Sequence, residues 1–124
     1  MNKMKNLEPT IYRQRLVIEG KYDKNITPIT PNFLKEYMKQ LSEKAKMTII
    51  YGPLIKNLAA QINPIHAGYE CLMIWAESGV QLYTWNKQEF FTIDIYTCKK
   101  MDSKEIIEFT KNYFKTKKIT YKNV

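Results

Sequence analysis

Two runs of strictly alternating side chains, joined by a short polar link, constrain this chain more than any other feature. In Val80-Gln81-Leu82-Tyr83-Thr84-Trp85, Val80 and Leu82 point one way while Gln81, Tyr83 and Trp85 point the other. In Phe91-Thr92-Ile93-Asp94-Ile95-Tyr96, the residues Phe91, Ile93 and Ile95 share a face opposite Thr92, Asp94, Tyr96 and, one step beyond, Cys98. A period of two built from β-branched and aromatic residues specifies half-buried strands. The link Asn86-Lys87-Gln88-Glu89 is short enough to be a hairpin loop. One face of such a sheet is core. The other is expected to carry Tyr83, Asp94, Tyr96 and Cys98, with Glu77-Ser78-Gly79 beside them just ahead of the first run. Any chemistry belongs on that second face.

The rest of the chain reads as support for this hairpin. Residues 11–22, centred on Leu16-Val17-Ile18, form a first strand. Thr30-Pro31 is a helix start, with Thr30 as N-cap and Pro31 at the first helical position, where a missing N–H costs nothing. Phe33, Leu34, Tyr37, Met38, Leu41 and Ala45 recur at three and four residues and predict a core-facing helix ending near Lys46. Residues 47–51 are a second strand, expected to stop at Gly52-Pro53. Residues 54–66 read as an irregular connection, and 69–76, continuously apolar after Glu70, as a third and central strand. Asp102 and Glu105 have the spacing of a capping box. Ile106, Phe109, Tyr113 and Phe114 then supply the stripe of a second helix, whose lysine-rich end suits the negative pole of its dipole. Ile119-Thr120-Tyr121 is a short edge strand. This order predicts an α+β fold: a two-layer sandwich of an antiparallel β-sheet with two helices on one face.

Composition narrows the function. At 124 residues the chain is expected to be one domain, 1–124, with a core that needs no staples. No apolar run approaches the ~20 residues of a membrane span, and no signal region follows the charged N-terminus. Cys71 and Cys98 are the only cysteines, which implies no disulfide framework and a reducing, cytoplasmic setting. The net charge is +8, but Arg13 and Arg15 are the only arginines among 20 basic residues. Arginine is the usual reader of base edges, so a lysine excess points to a solvated surface and away from specific nucleic-acid binding. A single histidine, His66, and two unpaired cysteines argue against a metal site. None of the four glycines forms a phosphate cradle.

The stretch from Glu77 to Cys98 also carries a resemblance. Glu77-Ser78, Tyr83-Thr84-Trp85 and Asp94-Ile95-Tyr96-Thr97-Cys98 stand at an ungapped spacing. They resemble the processing-site region of the small prokaryotic S-adenosylmethionine decarboxylases, in which the chain cuts itself between a Glu and a Ser. The resemblance implies attack by the Ser78 hydroxyl on the Glu77 carbonyl, an ester, then β-elimination and hydrolysis to leave a pyruvoyl group at residue 78. Gly79 gives the backbone freedom for that step. The pyruvoyl ketone would take the amine of an amino-acid-type substrate as a Schiff base and act as electron sink. Cys98 stands where the family's proton-donating cysteine stands. The resemblance further implies a homodimer with active sites near the subunit interface, and a role in polyamine (spermidine) synthesis.

Three positions depart from the family pattern. Tyr83 replaces a histidine used in processing, and a phenol is a poor base at pH 7. Glu70 replaces a serine eight residues before Ser78. Lys87 replaces a glutamate, which sets a cation where a sulfonium substrate would meet an anion. Trp85 is retained and is expected to stack on an adenine or simply to pack. Two readings follow: a pyruvoyl-type decarboxylase, of S-adenosylmethionine or of another amino acid, or a non-processing relative that keeps the fold as a binding or regulatory subunit. A lysine-rich nucleic-acid-binding module is a third.

Overall fold

Each alternating run becomes a strand because alternation lets a residue pair be split between core and solvent. The computed structural model describes residues 4–58 and 64–124. Its elements are β1 (Gln14–Lys21), α1 (Pro31–Lys44), β2 (Ile49–Asn57), a 3₁₀ turn (Pro64–His66), β3 (Tyr69–Trp75), β4 (Ser78–Trp85), β5 (Phe90–Thr97), α2 (Ser103–Phe114) and β6 (Ile119–Asn123). The strands form one sheet in the order β2-β3-β4-β5-β1-β6, and every neighbouring pair is antiparallel. The hairpin of β4 and β5 occupies its middle. This is the expected α+β two-layer sandwich.

Both helices cover the same face. Met73 and Trp75 on β3 meet Ser42 of α1, whose Oγ accepts from Trp75 Nε1 at 2.8 Å and donates to Met38 O at 2.8 Å. Phe91 on β5 stacks on Phe114 of α2 with ring centroids 4.1 Å apart. Gly20 of β1 pairs with Phe91, and a side chain there would run into that ring. Between the helices the Tyr37 hydroxyl donates to Thr110 Oγ1 at 2.7 Å, and Thr110 Oγ1 in turn donates to Ile106 O at 2.8 Å. Trp75, Tyr37, Phe91 and Phe114 are all fully buried. Burial of a side chain of that size stabilises by about 1.5–3 kcal/mol, so these four anchor the layer contact. Thr30 and Asp102 cap the two helices as expected, each accepting from the amide three residues on.

Several boundaries differ from the sequence reading. β1 begins at Gln14; residues 4–13 lie outside it, and the Arg13 guanidinium binds the Glu8 and Ile11 carbonyls and Asn6 Oδ1. Gly52-Pro53 does not stop β2, because β2 is an edge strand. The missing proline N–H faces no ladder partner there, and the pair instead falls within the register shifts between Ile49 and Leu54. The expected irregular connection is therefore strand through Asn57; residues 59–63 lie outside the described residues. β3 is flanked on both sides, yet its apolar run is split: Cys71, Met73 and Trp75 are buried while Ile74 is 44% exposed. No helix is long and apolar enough to cross a membrane among the described residues.

Candidate functional site

The open face of the sheet, opposite the helices, holds the groups that remain chemically accessible. Glu70, Leu72 and Ile74 face it from β3, and Gly79, Gln81, Tyr83 and Trp85 from β4. Thr92, Asp94 and Tyr96 face it from β5, with Cys98 just beyond, and Arg15 and Val17 from β1. This follows from the register, which sets Cys71, Met73, Val80, Leu82, Phe91, Ile93, Ile95 and Leu16 inside. A hollow of about 450 Å³ opens there between Arg15, Ile74, Gly79, Gln81, Asp94 and Tyr96.

The Glu77–Ser78 junction forms the tip of the β3–β4 hairpin. Trp75 pairs with Ser78, so Ala76 and Glu77 are the entire loop. Such tight loops need positive φ, and Glu77 supplies it at φ 64° although it is not glycine, a strained state costing of order 1 kcal/mol. The register of β4 with β5 sets Ser78 opposite Thr97. The next amide, that of Cys98, therefore reaches the Glu77 carbonyl oxygen and donates to it at 3.2 Å. Thus Glu77, Ser78 and Cys98 are brought together, and the carbonyl that a Ser78 attack would use is already polarised by a backbone N–H.

Ser78 itself is not on the open face. As the first residue of β4 it shares the parity of Val80 and Leu82, so its side chain turns toward the helix side. There Ser78 Oγ donates to Thr97 Oγ1 at 2.7 Å. Thr97 is fully buried, donates to Lys99 O and accepts from Lys99 N, both at 2.9 Å. The sequence reading took the 77–79 segment as lying wholly before the strand. The two-residue loop starts the strand at Ser78, two residues earlier than that.

Glu70 and Tyr83 form a second cluster. They pair across β3 and β4, with Lys56 opposite Glu70 on its other side. Tyr83 is five residues from Ser78 on one strand, about 17 Å at a strand rise of ~3.4 Å. Partial burial first, then the Glu70 carboxylate that takes its hydrogen bond and the Asp94 charge, push the Tyr83 phenol above its ordinary value. It is a protonated donor at neutral pH. Trp85 lies farther along still: its Nε1 donates to His66 Nδ1 at 3.3 Å, and its ring sits 5.3 Å from Phe90 and 6.2 Å from Tyr83. Lys87 is exposed in the β4–β5 loop. Within one chain, then, the expected site residues fall into separate groups.

Two contacts escaped the sequence reading, which had placed Tyr96 on the open face but given neither residue a partner. Thr97 is the partner of Ser78, a relation that follows from the hairpin register once Ser78 is inside the strand. Tyr96 reaches Cys98, with 3.6 Å between its hydroxyl and Sγ; both lie on one face by simple alternation, which was the available signal. Among the described residues, no three His, Cys, Asp or Glu side chains gather as metal ligands.

Comparison with known proteins bears on the family and the fold. A family model described as S-adenosylmethionine decarboxylase matches residues 25–124. An S-adenosylmethionine decarboxylase proenzyme of Clostridium botulinum (strain Loch Maree / Type A3) is 30% identical over 94 residues, 74% of each chain. An arginine decarboxylase proenzyme of Ignicoccus hospitalis is 29% identical over 65 residues, 52% of this chain and 42% of that one. The crystal structure of the adenosylmethionine decarboxylase from Aquifex aeolicus VF5 shares the fold, with a TM-score of 0.68 and 16% identity over 92% of this chain and 89% of that one.

Proposed function

The chain belongs to the S-adenosylmethionine decarboxylase family, and on that footing we propose that it is a pyruvoyl-dependent decarboxylase proenzyme that cuts itself between Glu77 and Ser78. The observation that carries this reading is the Cys98 amide on the Glu77 carbonyl at 3.2 Å. Oxygen attack turns that carbonyl into an oxyanion, and a fixed N–H stabilises it without reorganisation. The left-handed Glu77 adds strain that cleavage releases. Ser78 must first turn its hydroxyl from Thr97 to the neighbouring carbonyl carbon, a single χ1 rotation. Its attack makes an ester; elimination frees the Glu77 carboxylate, and one water then releases ammonia.

These residues suit a pyruvoyl group at position 78, whose ketone supplies an electron sink for the carboxylate electrons. Cut free of Glu77, residue 78 becomes a chain end beside Gly79, on the rim of the open-face hollow. The Cys98 thiol on that face donates the proton that replaces carbon dioxide. Glu70, Trp85 and Lys87 contact the substrate, and Tyr83 acts as a donor. The substrate is S-adenosylmethionine, in polyamine (spermidine) synthesis, or another amino acid, with the arginine decarboxylase relative as precedent for a second substrate class. The site works in a cytoplasmic homodimer: two copies joined across the open face cover its exposed Ile74 and Tyr96 and bring further groups to each site. The domain is the whole of 1–124.

The second reading, a non-processing relative acting as a binding or regulatory subunit, is favoured by the Ser78 hydroxyl being held by Thr97. Intact mass under denaturing conditions separates the two. Cleavage yields two fragments whose masses sum to the chain plus one water less one ammonia. A single unchanged 14.8 kDa species after long incubation would remove the self-made cofactor.

A further inference from the structure

Beyond the groups already assigned, the open face holds one contact to the proposed proton donor. Tyr96 and Cys98 lie two residues apart on the same face, and the Tyr96 hydroxyl is 3.6 Å from Sγ. The cysteine is pinned from its other side by its amide on Glu77 O. The tyrosine ring is held in turn. Its cross-strand neighbours are Gly79 on β4, which has no side chain to displace it, and Arg15 on β1, whose guanidinium carbon stands 5.4 Å from the ring centroid. Backbone clasp, thiol, phenol and guanidinium thus form one series, of which the phenol and the guanidinium line the hollow.

We propose that Tyr96 is a positioning residue for Cys98, its hydroxyl holding the thiol toward the hollow and donating to the sulfur once the thiol has given up its proton. This rests on Cys98 as the proton donor of the proposed function. The thiol contact, ahead of partial burial, raises the phenol above its ordinary value, so at neutral pH it keeps the proton a donor needs. A hydrogen bond to an ionised sulfur is stronger than one to a neutral thiol, so the hydroxyl holds the sulfur most firmly once its proton has gone. The charged groups around the pair are Arg13 just before β1, Arg15 on β1, Asp94 earlier on β5, Glu77 in the hairpin loop and Lys99 next in the chain. None changes when the hydroxyl alone is removed.

The test is Tyr96→Phe, which keeps the ring and its arginine contact. The rate of Cys98 alkylation by iodoacetamide is measured against pH in the native protein and the variant. Cys71 does not interfere, because burial pushes its thiol up to about 12. At pH 7 alkylation is expected to fall about threefold in the variant, as the loss of one modest hydrogen bond implies. Superimposable curves would overturn the proposal. If Tyr96→Phe fails to fold, the ¹³Cζ resonance of Tyr96 in the native protein takes its place: its alkaline titration should shift to lower pH when Cys98 is alkylated, and an unmoved titration overturns the proposal equally. Both readouts report on the thiol whether or not the chain cleaves or turns over. Failure of the decarboxylase reading is seen elsewhere, in unchanged turnover of Cys98→Ala.

Discussion

The amide of Cys98 donates to the carbonyl oxygen of Glu77 at 3.2 Å, although the two residues are separated by the whole β4–β5 hairpin. Under the proposed function the backbone of Cys98 serves cleavage and its side chain serves turnover, and mutation should separate the two roles.

Cys98→Ala keeps the N–H and removes the thiol. Self-cleavage should proceed at near the native rate while turnover falls about 10²–10⁴-fold, the usual worth of a general acid. Fragment formation by mass and decarboxylation by carbon dioxide release check the two halves separately. Ser78→Ala should do the reverse of sparing cleavage: no fragments, no decarboxylation of any amino acid, and an unchanged circular dichroism spectrum.

Glu77 takes a positive φ that β-branched residues adopt only under strain. In the uncleavable Ser78→Ala background, Glu77→Val should be less stable than Glu77→Gly by about 1–2 kcal/mol. Urea midpoints of the two double variants measure the difference. Equal midpoints would mean that the loop relaxes and stores no strain.

Ser42 Oγ is the acceptor for the buried Trp75 Nε1 at 2.8 Å. Ser42→Ala leaves that indole N–H without a partner in the core and should cost about 1–3 kcal/mol. Because α1 and β3 meet at this bond, thermal unfolding and the near-ultraviolet signal of the tryptophan should both report it.

Alkaline pH should destabilise the protein through two buried groups. Burial raises the Cys71 thiol from its ordinary 9.0 to about 12, with the Glu70 charge adding to the effect; burial likewise raises the fully buried Tyr37 phenol far above its ordinary 10.0. In both groups the folded state holds a proton that the unfolded chain releases. Their stabilisation is complete below pH 9 and is lost as pH climbs through 9–12 for the thiol, and above 10 for the phenol. Urea midpoints should therefore fall across this window, and Cys71→Ala should flatten the part of the decline that begins near pH 9.

Much of this molecule was legible in the sequence by itself. Alternation in residues 80–85 and 91–96 set the central hairpin and which residues face the core, because a period of two permits only one inward face. The three- and four-residue spacing from Phe33 to Ala45, with Thr30 and Asp102 as caps, set both helices. Glu77-Ser78 and Cys98 were singled out by a resemblance to a family pattern with the same ungapped spacing. What only the tertiary structure decided depends on pairing between distant segments. That Gly52-Pro53 lies inside a strand follows from β2 being an edge, and edge position is not written in local residues. The Ser78 side chain turns inward because a two-residue loop begins β4 at that residue, and one residue of register reverses every side chain after it. That Cys98 clasps Glu77, while Glu70 and Tyr83 stand about 17 Å away at a strand rise of ~3.4 Å, is likewise a matter of register: contacts across a sheet are set by backbone hydrogen bonds, which any residue pair can make, and so leave little trace in the side chains.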